Sequence, residues 1–119
     1  MKSYLFSLAI VFFSSIVFSQ EALVSSSENF KSSVASGIIT MVLPDDVTAE
    51  GVEKYSKYYT SYFTTSFDQG AHKVTFNMVK NDAKSRRVII RFLSANGVQF
   101  VKIGDRSLTL TNFYDAYLK

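Results

Sequence analysis

A chain of 119 residues with a formal net charge of +3 has room for one domain, and it contains neither cysteine nor tryptophan. The lack of cysteine excludes a disulfide framework and a thiolate metal site, and such mild basicity makes no case for nucleic acid by itself. Phenylalanine and tyrosine supply an aromatic content of 15%, so the core has bulky material but must close by packing alone.

Met1-Lys2 gives a minimal positive start, Tyr4 to Phe18 is almost wholly apolar or small, and Val17-Phe18-Ser19-Gln20 offers modest side chains. This order of n-region, h-region and cleavage site predicts a signal peptide over residues 1–19, cut after Ser19. The expected product is secreted or periplasmic. Its apolar run, of about 15 residues, falls short of the roughly 20 that cross a bilayer, so no stable membrane span is expected after cleavage. Residues 20–36 (QEALVSSSENFKSSVAS) are serine-rich with isolated apolar residues and no sustained period, which reads as a flexible lead-in.

Residues 37–119 read as the folded domain. Ile38 to Leu43 is a β-branched run ended by Pro44, a strand expected to be buried on both faces. Pro44-Asp45-Asp46 turns the chain into a helix with Thr48 as N-cap and Glu50 in its first turn. Val52, Tyr55, Tyr59 and Tyr62 recur at helical spacing, which carries this helix to about Phe63. Thr64 to Asp68 and Lys73 to Lys80 form a hairpin, the second strand placing Val74, Phe76 and Met78 on one face. Asn81-Asp82 caps a helix over residues 83–95 whose apolar residues are Val88, Ile89, Phe92 and Leu93, and Asn96-Gly97 stops it. Val98 to Ile103 is a strand, Gly104-Asp105 a turn and Leu108 to Leu110 a short return. Asn112 caps a last helical turn that folds Phe113, Tyr117 and Leu118 onto the body.

The order β-α-β-β-α-β predicts an α+β, ferredoxin-like antiparallel sheet with both helices on one face, followed by a short strand-helix extension. In element order, element length and the asparagine-glycine end of the second helix, Ile38 to Ile103 resembles the heavy-metal-associated domains. That resemblance implies a scaffold. The family carries a Met-x-Cys-x-x-Cys motif after its first strand, where this chain reads Leu43-Pro44-Asp45-Asp46-Val47-Thr48-Ala49-Glu50. Without thiolates the resemblance implies no copper or zinc carriage.

Four groups of residues are candidates for function. Lys84, Arg87 and Arg91 recur at i, i+3 and i+7 with Arg86 beside them and no acidic residue from Ala83 to Ala95, a basic stripe suited to an acidic protein or another polyanion. Tyr58 and Tyr62, spaced i, i+4, offer rigid contact area with polar tips. Asp45, Asp46 and Glu50 are weak candidates for a hard cation and match no calcium-loop spacing. His72, the single histidine, has no nucleophile or carboxylate spaced to form a triad. No catalytic constellation and no cofactor motif is present. The expectation is therefore a non-catalytic module that binds a protein or envelope component. The alternative is a small-ligand or hard-metal protein using the Asp45–Glu50 loop. Nucleic acid is not expected as a partner, and the exposed edges of such a sheet leave homodimerisation open.

Overall fold

The computed structural model describes residues 20–119; residues 1–19, where a signal peptide is expected from the sequence, lie outside the described residues. The architecture is α+β, a six-stranded mixed sheet with four helices. Strands β1 (Glu21–Val24), β2 (Ile38–Val42), β3 (Phe63–Asp68), β4 (Lys73–Met78), β5 (Phe100–Ile103) and β6 (Arg106–Thr109) lie in the order β3-β4-β2-β1-β5-β6. The helices are α1 (Ser27–Ser36), α2 (Ala49–Ser56), α3 (Ala83–Ala95) and the short α4 (Leu110–Phe113), which continues into a π turn over Tyr114–Leu118.

Residues 20–36 correct the expectation of a flexible lead-in. Glu21–Val24 becomes β1, parallel to β5 and antiparallel to β2, so it stands inside the sheet with Ala22 fully buried. Ser26 then caps α1, whose one fully buried side chain, Phe30, packs on Phe113 at 5.3 Å and Tyr117 at 6.0 Å between ring centroids. Gly37 closes that helix in the left-handed conformation (φ 79°) that a Cβ disfavours. From Gly37 onward the β-α-β-β-α-β order is present and the whole is compatible with a ferredoxin-like arrangement. The sheet is mixed rather than antiparallel, because β1 enters between β2 and β5.

The strand registers divide the sheet into two faces. Ala22, Ile39, Met41, Phe63, Val74, Phe76, Val101 and Ile103 point to the face where helix residues Phe30, Val52, Val88, Ile89, Phe92 and Leu93 complete one core. Phe63, Phe76 and Phe92 meet edge to face at its centre, with centroids 5.1–6.0 Å apart. The opposite face is open. One row crosses all six strands there: Asp68, Lys73, Val42, Leu23, Lys102 and Ser107. β2 therefore alternates instead of being buried on both faces, and Ile38 is half exposed.

Helix α2 is shorter than its tyrosine spacing suggested. It ends at Ser56 and tightens into a 3-10 turn over Lys57–Tyr59, where the Tyr62 amide donates to the Tyr59 carbonyl. Phe63 is required in the sheet, where it pairs with Met78 and is fully buried, so the helical path must break before it. At the C-terminus Thr109, not Asn112, caps the last helix; the Asn112 amide donates to the Thr109 hydroxyl. Among the described residues no helix is long and apolar enough to cross a membrane.

Candidate binding surface

Helix α3 shows most directly how local sequence positions a candidate surface. The Asp82 carboxylate accepts a hydrogen bond from the Ser85 amide at 2.8 Å and starts the helix. Val88, Ile89, Phe92 and Leu93 then turn into the core, which leaves Lys84, Arg87 and Arg91 exposed on the outer side. The ion pairs among the described residues are Lys57–Glu53 and Lys80–Asp82, so none of the three cations is neutralised by a carboxylate. The Arg87 guanidinium lies 5.2 Å from the centre of the Tyr114 ring, which orients it without discharging it.

Arg86 separates from its neighbours. Its Nε donates to the Leu118 carbonyl at 2.7 Å and its terminal nitrogen to the Asn81 side-chain oxygen at 2.8 Å. The Asn81 amide nitrogen in turn donates to the Val34 carbonyl at 2.8 Å. This chain of hydrogen bonds ties the end of α1, the start of α3 and the C-terminal turn together. Arg86 is therefore a fastening of the fold, and the stripe offered to a partner is Lys84, Arg87 and Arg91.

The Ser85 amide, donating to Asp82, holds that carboxyl below its ordinary value of 3.8, helped by Lys80 nearby. A depressed carboxylate stabilises the fold in full above its unfolded value, and that contribution disappears as the pH falls through the lower folded value. Asp82→Asn keeps the capping oxygen and loses the charge. Its stability deficit against wild type is expected to shrink to nothing in acid, read from urea unfolding at successive pH values.

The tyrosine pair is arranged differently from the i, i+4 expectation. Because α2 ends at Ser56, Tyr58 sits in the 3-10 turn with 70% of its surface exposed, while Tyr62 lies beyond it at the head of β3. The Tyr62 carbonyl accepts from the Val79 amide at 3.0 Å, which puts Tyr62 beside another exposed apolar residue. Tyr55 and Tyr59 pack partly against the core. Tyr62 and Val79 are thus neighbours at one end of the sheet, and Tyr58 is exposed separately on the 3-10 turn beside Glu53, Lys54 and Lys57.

Asp45, Asp46 and Glu50 are all exposed, and among the described residues no group of three or more His, Cys, Asp or Glu side chains gathers where an ion could be held. In the same loop the Val47 amide donates to the Pro44 carbonyl and Thr48 caps α2 through the Gly51 amide at 2.9 Å. These contacts organise a turn and a helix start.

His72 has a partner that its sequence neighbourhood does not reveal. Its Nε2 lies 2.8 Å from the Val47 carbonyl, and since a carbonyl only accepts, that nitrogen carries the proton. The ring rests edge-on against Phe67, and the His72 carbonyl accepts from the Leu43 amide at 2.8 Å. The residue adopts φ 56°, a left-handed conformation uncommon outside glycine. It latches the β3–β4 hairpin to the loop before α2. His72→Ala is expected to cost about 1–3 kcal/mol by leaving the Val47 carbonyl unpaired. Faster amide exchange at Leu43 and Val47, measured by NMR, checks that the loss is local.

Comparison with protein-family models, with curated proteins and with solved structures finds no match for this chain.

Proposed function

We propose that this is an exported, non-catalytic binding module that engages an anionic partner, a protein or an envelope component, through the outer surface of α3. The observation that carries the reading is the trio Lys84, Arg87 and Arg91, exposed on one helix side with no carboxylate among the described residues paired to any of them. Unpaired cations held on a packed helix attract acidic partners over roughly a Debye length, about 8–10 Å at physiological salt, and the contact weakens as salt rises. The scaffold reading that accompanies it is a ferredoxin-like domain of the heavy-metal-associated type in topology only, with β1 added and no thiolate chemistry. Export rests on the signal-like segment Met1–Ser19 and places the partner in the periplasm or outside the cell.

Affinity capture from envelope extract tests this, with wild type beside Arg87→Glu/Arg91→Glu and Tyr58→Ala/Tyr62→Ala. The expected result is a salt-sensitive partner held by wild type and lost from the arginine variant. Loss confined to the tyrosine variant moves the binding face to Tyr58, Tyr62 and Val79, a second reading favoured by the exposure of those residues. Capture by none of the baits removes the interaction reading. A calcium-dependent thermal shift would instead bring forward the Asp45–Glu50 loop.

A further inference from the structure

Strand β2 lacks a neighbour over part of its length, in the middle of the sheet. The Met78 amide donates to the Gly37 carbonyl at 2.9 Å, and the Leu43 amide to the His72 carbonyl at 2.8 Å. By alternation Ile39 and Met41 also turn their backbone groups toward β4, whereas Ile38, Thr40 and Val42 turn theirs toward β1. β1 meets only the last of these three. Leu23 pairs with Val42, the strand ends at Val24, and the chain leaves for α1. The Ile38 amide is taken by the Ser36 hydroxyl at 3.3 Å. Ser25, which the register would set opposite Thr40, makes no backbone hydrogen bond with it. Among the described residues nothing pairs with the Thr40 amide and carbonyl.

A cleft of about 510 Å³ opens at this gap, within the usual size range of small-molecule sites. Thr40, only half-buried, lines it together with the apolar Leu23 and Val42, the hydroxyls of Ser25 and Ser33, and Lys73. No carboxylate is among the lining residues. Lys73 has no ion pair among the described residues. Asp68, its neighbour across the hairpin, lies on the side away from β1 and accepts from the Gly70 and Ala71 amides at 3.0 and 3.3 Å. The Thr40 hydroxyl is engaged with that of Thr75 at 3.3 Å, so what Thr40 has left for a ligand is its backbone.

We infer that this cleft binds a small N-acylated amino acid with an apolar side chain. An extended residue presents its N–H and C=O to one side, and Thr40 presents the complementary pair. The ligand's amide donates to the Thr40 carbonyl, and one oxygen of its carboxylate accepts from the Thr40 amide. The Lys73 ammonium supplies the countercharge, so the free acid is preferred to its neutral amide. A residue facing Thr40 carries its side chain on the open face, beside Leu23 and Val42, which selects an apolar one. None of the lining residues belongs to α3, and the site stands or falls independently of the anionic partner.

NMR titration of the isotope-labelled full chain, in its processed form as established by mass spectrometry, with N-acetyl-leucine reads the result. Saturable shifts are expected at Leu23, Val42 and the Thr40 amide, the last moving downfield as it gains an acceptor. N-acetyl-leucinamide, which lacks the negative charge, is expected to bind about tenfold more weakly. N-acetyl-N-methyl-leucine, which lacks the donor for the Thr40 carbonyl, is expected to lose about fivefold. Lys73→Met is expected to bind the acid as weakly as wild type binds the amide, and to discriminate little between the two. Lys102→Met removes a cation on the other side of Leu23 that does not line the cleft, and is expected to bind like wild type. Circular dichroism melts confirm that each variant is folded; should Lys73→Met fail to fold, the three ligands on wild type decide. Absence of a saturable shift at Thr40, equal affinity for acid and amide, or a folded Lys73→Met that still prefers the acid overturns the proposal. So do shifts confined to α3, where Lys84, Arg87 and Arg91 would be holding the carboxylate instead.

Discussion

A chain that begins at Gly37 is expected to show no cooperative thermal transition, although it retains every element of the β-α-β-β-α-β order. The reason is the place of β1. It pairs with β2 on one side and with β5 on the other, and β2 and β5 have no pairing of their own. Removing it splits the sheet into β3-β4-β2 and β5-β6 and empties the space filled by Ala22. The loss of α1 removes Phe30 as well, which covers Phe113 and Tyr117 and so holds the C-terminal turn in place. Phe30→Ala alone is expected to cost about 3–5 kcal/mol. Domains of this size have about 5–15 kcal/mol in total. Circular dichroism melts of residues 20–119, of Phe30→Ala and of residues 37–119 form the test. A cooperative melt of the shortest chain near the temperature of the longest would return residues 20–36 to the role of a lead-in.

That segment shows where sequence reading ran out and why. β1 is four residues, Glu-Ala-Leu-Val, too short to display a period, and its central position is marked only by an alanine. α1 has one fully buried side chain and an outer surface of serines, so no apolar stripe announces it. Its stability comes from contacts with residues far along the chain, such as the hydrogen bond of Ser27 with Tyr117, 90 positions away. Elements with strong periods were legible. α3 runs Ala83–Ala95 with the expected Asp82 cap and buried residues, and β4 alternates as its sequence does. α2 misled because tyrosines suit both helix and strand contexts, and only the pairing of Phe63 with Met78 fixes where the helix must stop.

The candidate surface was legible in part for the same reason. Helical spacing placed Lys84, Arg87 and Arg91 on the outer side of α3, since a regular helix converts spacing into direction. It could not tell Arg86 from Arg87. The distinction is made by the Leu118 carbonyl, which returns from the far end of the chain to accept from Arg86. The His72 latch depends equally on a carbonyl 25 positions away. The open sheet face emerges only once strand order is known.

Phe92→Ala is expected to be the most damaging single substitution on α3. Phe92 is fully buried, with its ring centroid 5.3 Å from Phe76 and 6.0 Å from Phe63, each contact nearly perpendicular. Truncation removes the helix side of the aromatic cluster and leaves a void that strands β3 and β4, fixed by full-length pairing, cannot close. The expected cost is about 3–5 kcal/mol. At about 4–8 °C per kcal/mol for a domain of this length, the melting temperature falls by tens of degrees or the chain fails to fold. Phe92→Leu keeps most of the volume and loses the ring contacts, so its cost should be distinctly smaller. Combining each with Phe63→Leu isolates the edge-to-face interaction, expected at about 0.5–1.5 kcal/mol of coupling. Additive losses would mean that the rings stabilise the core by volume alone. A measurable coupling would show that their geometry fixes where α3 sits on the sheet, and with it the direction in which Lys84, Arg87 and Arg91 are presented.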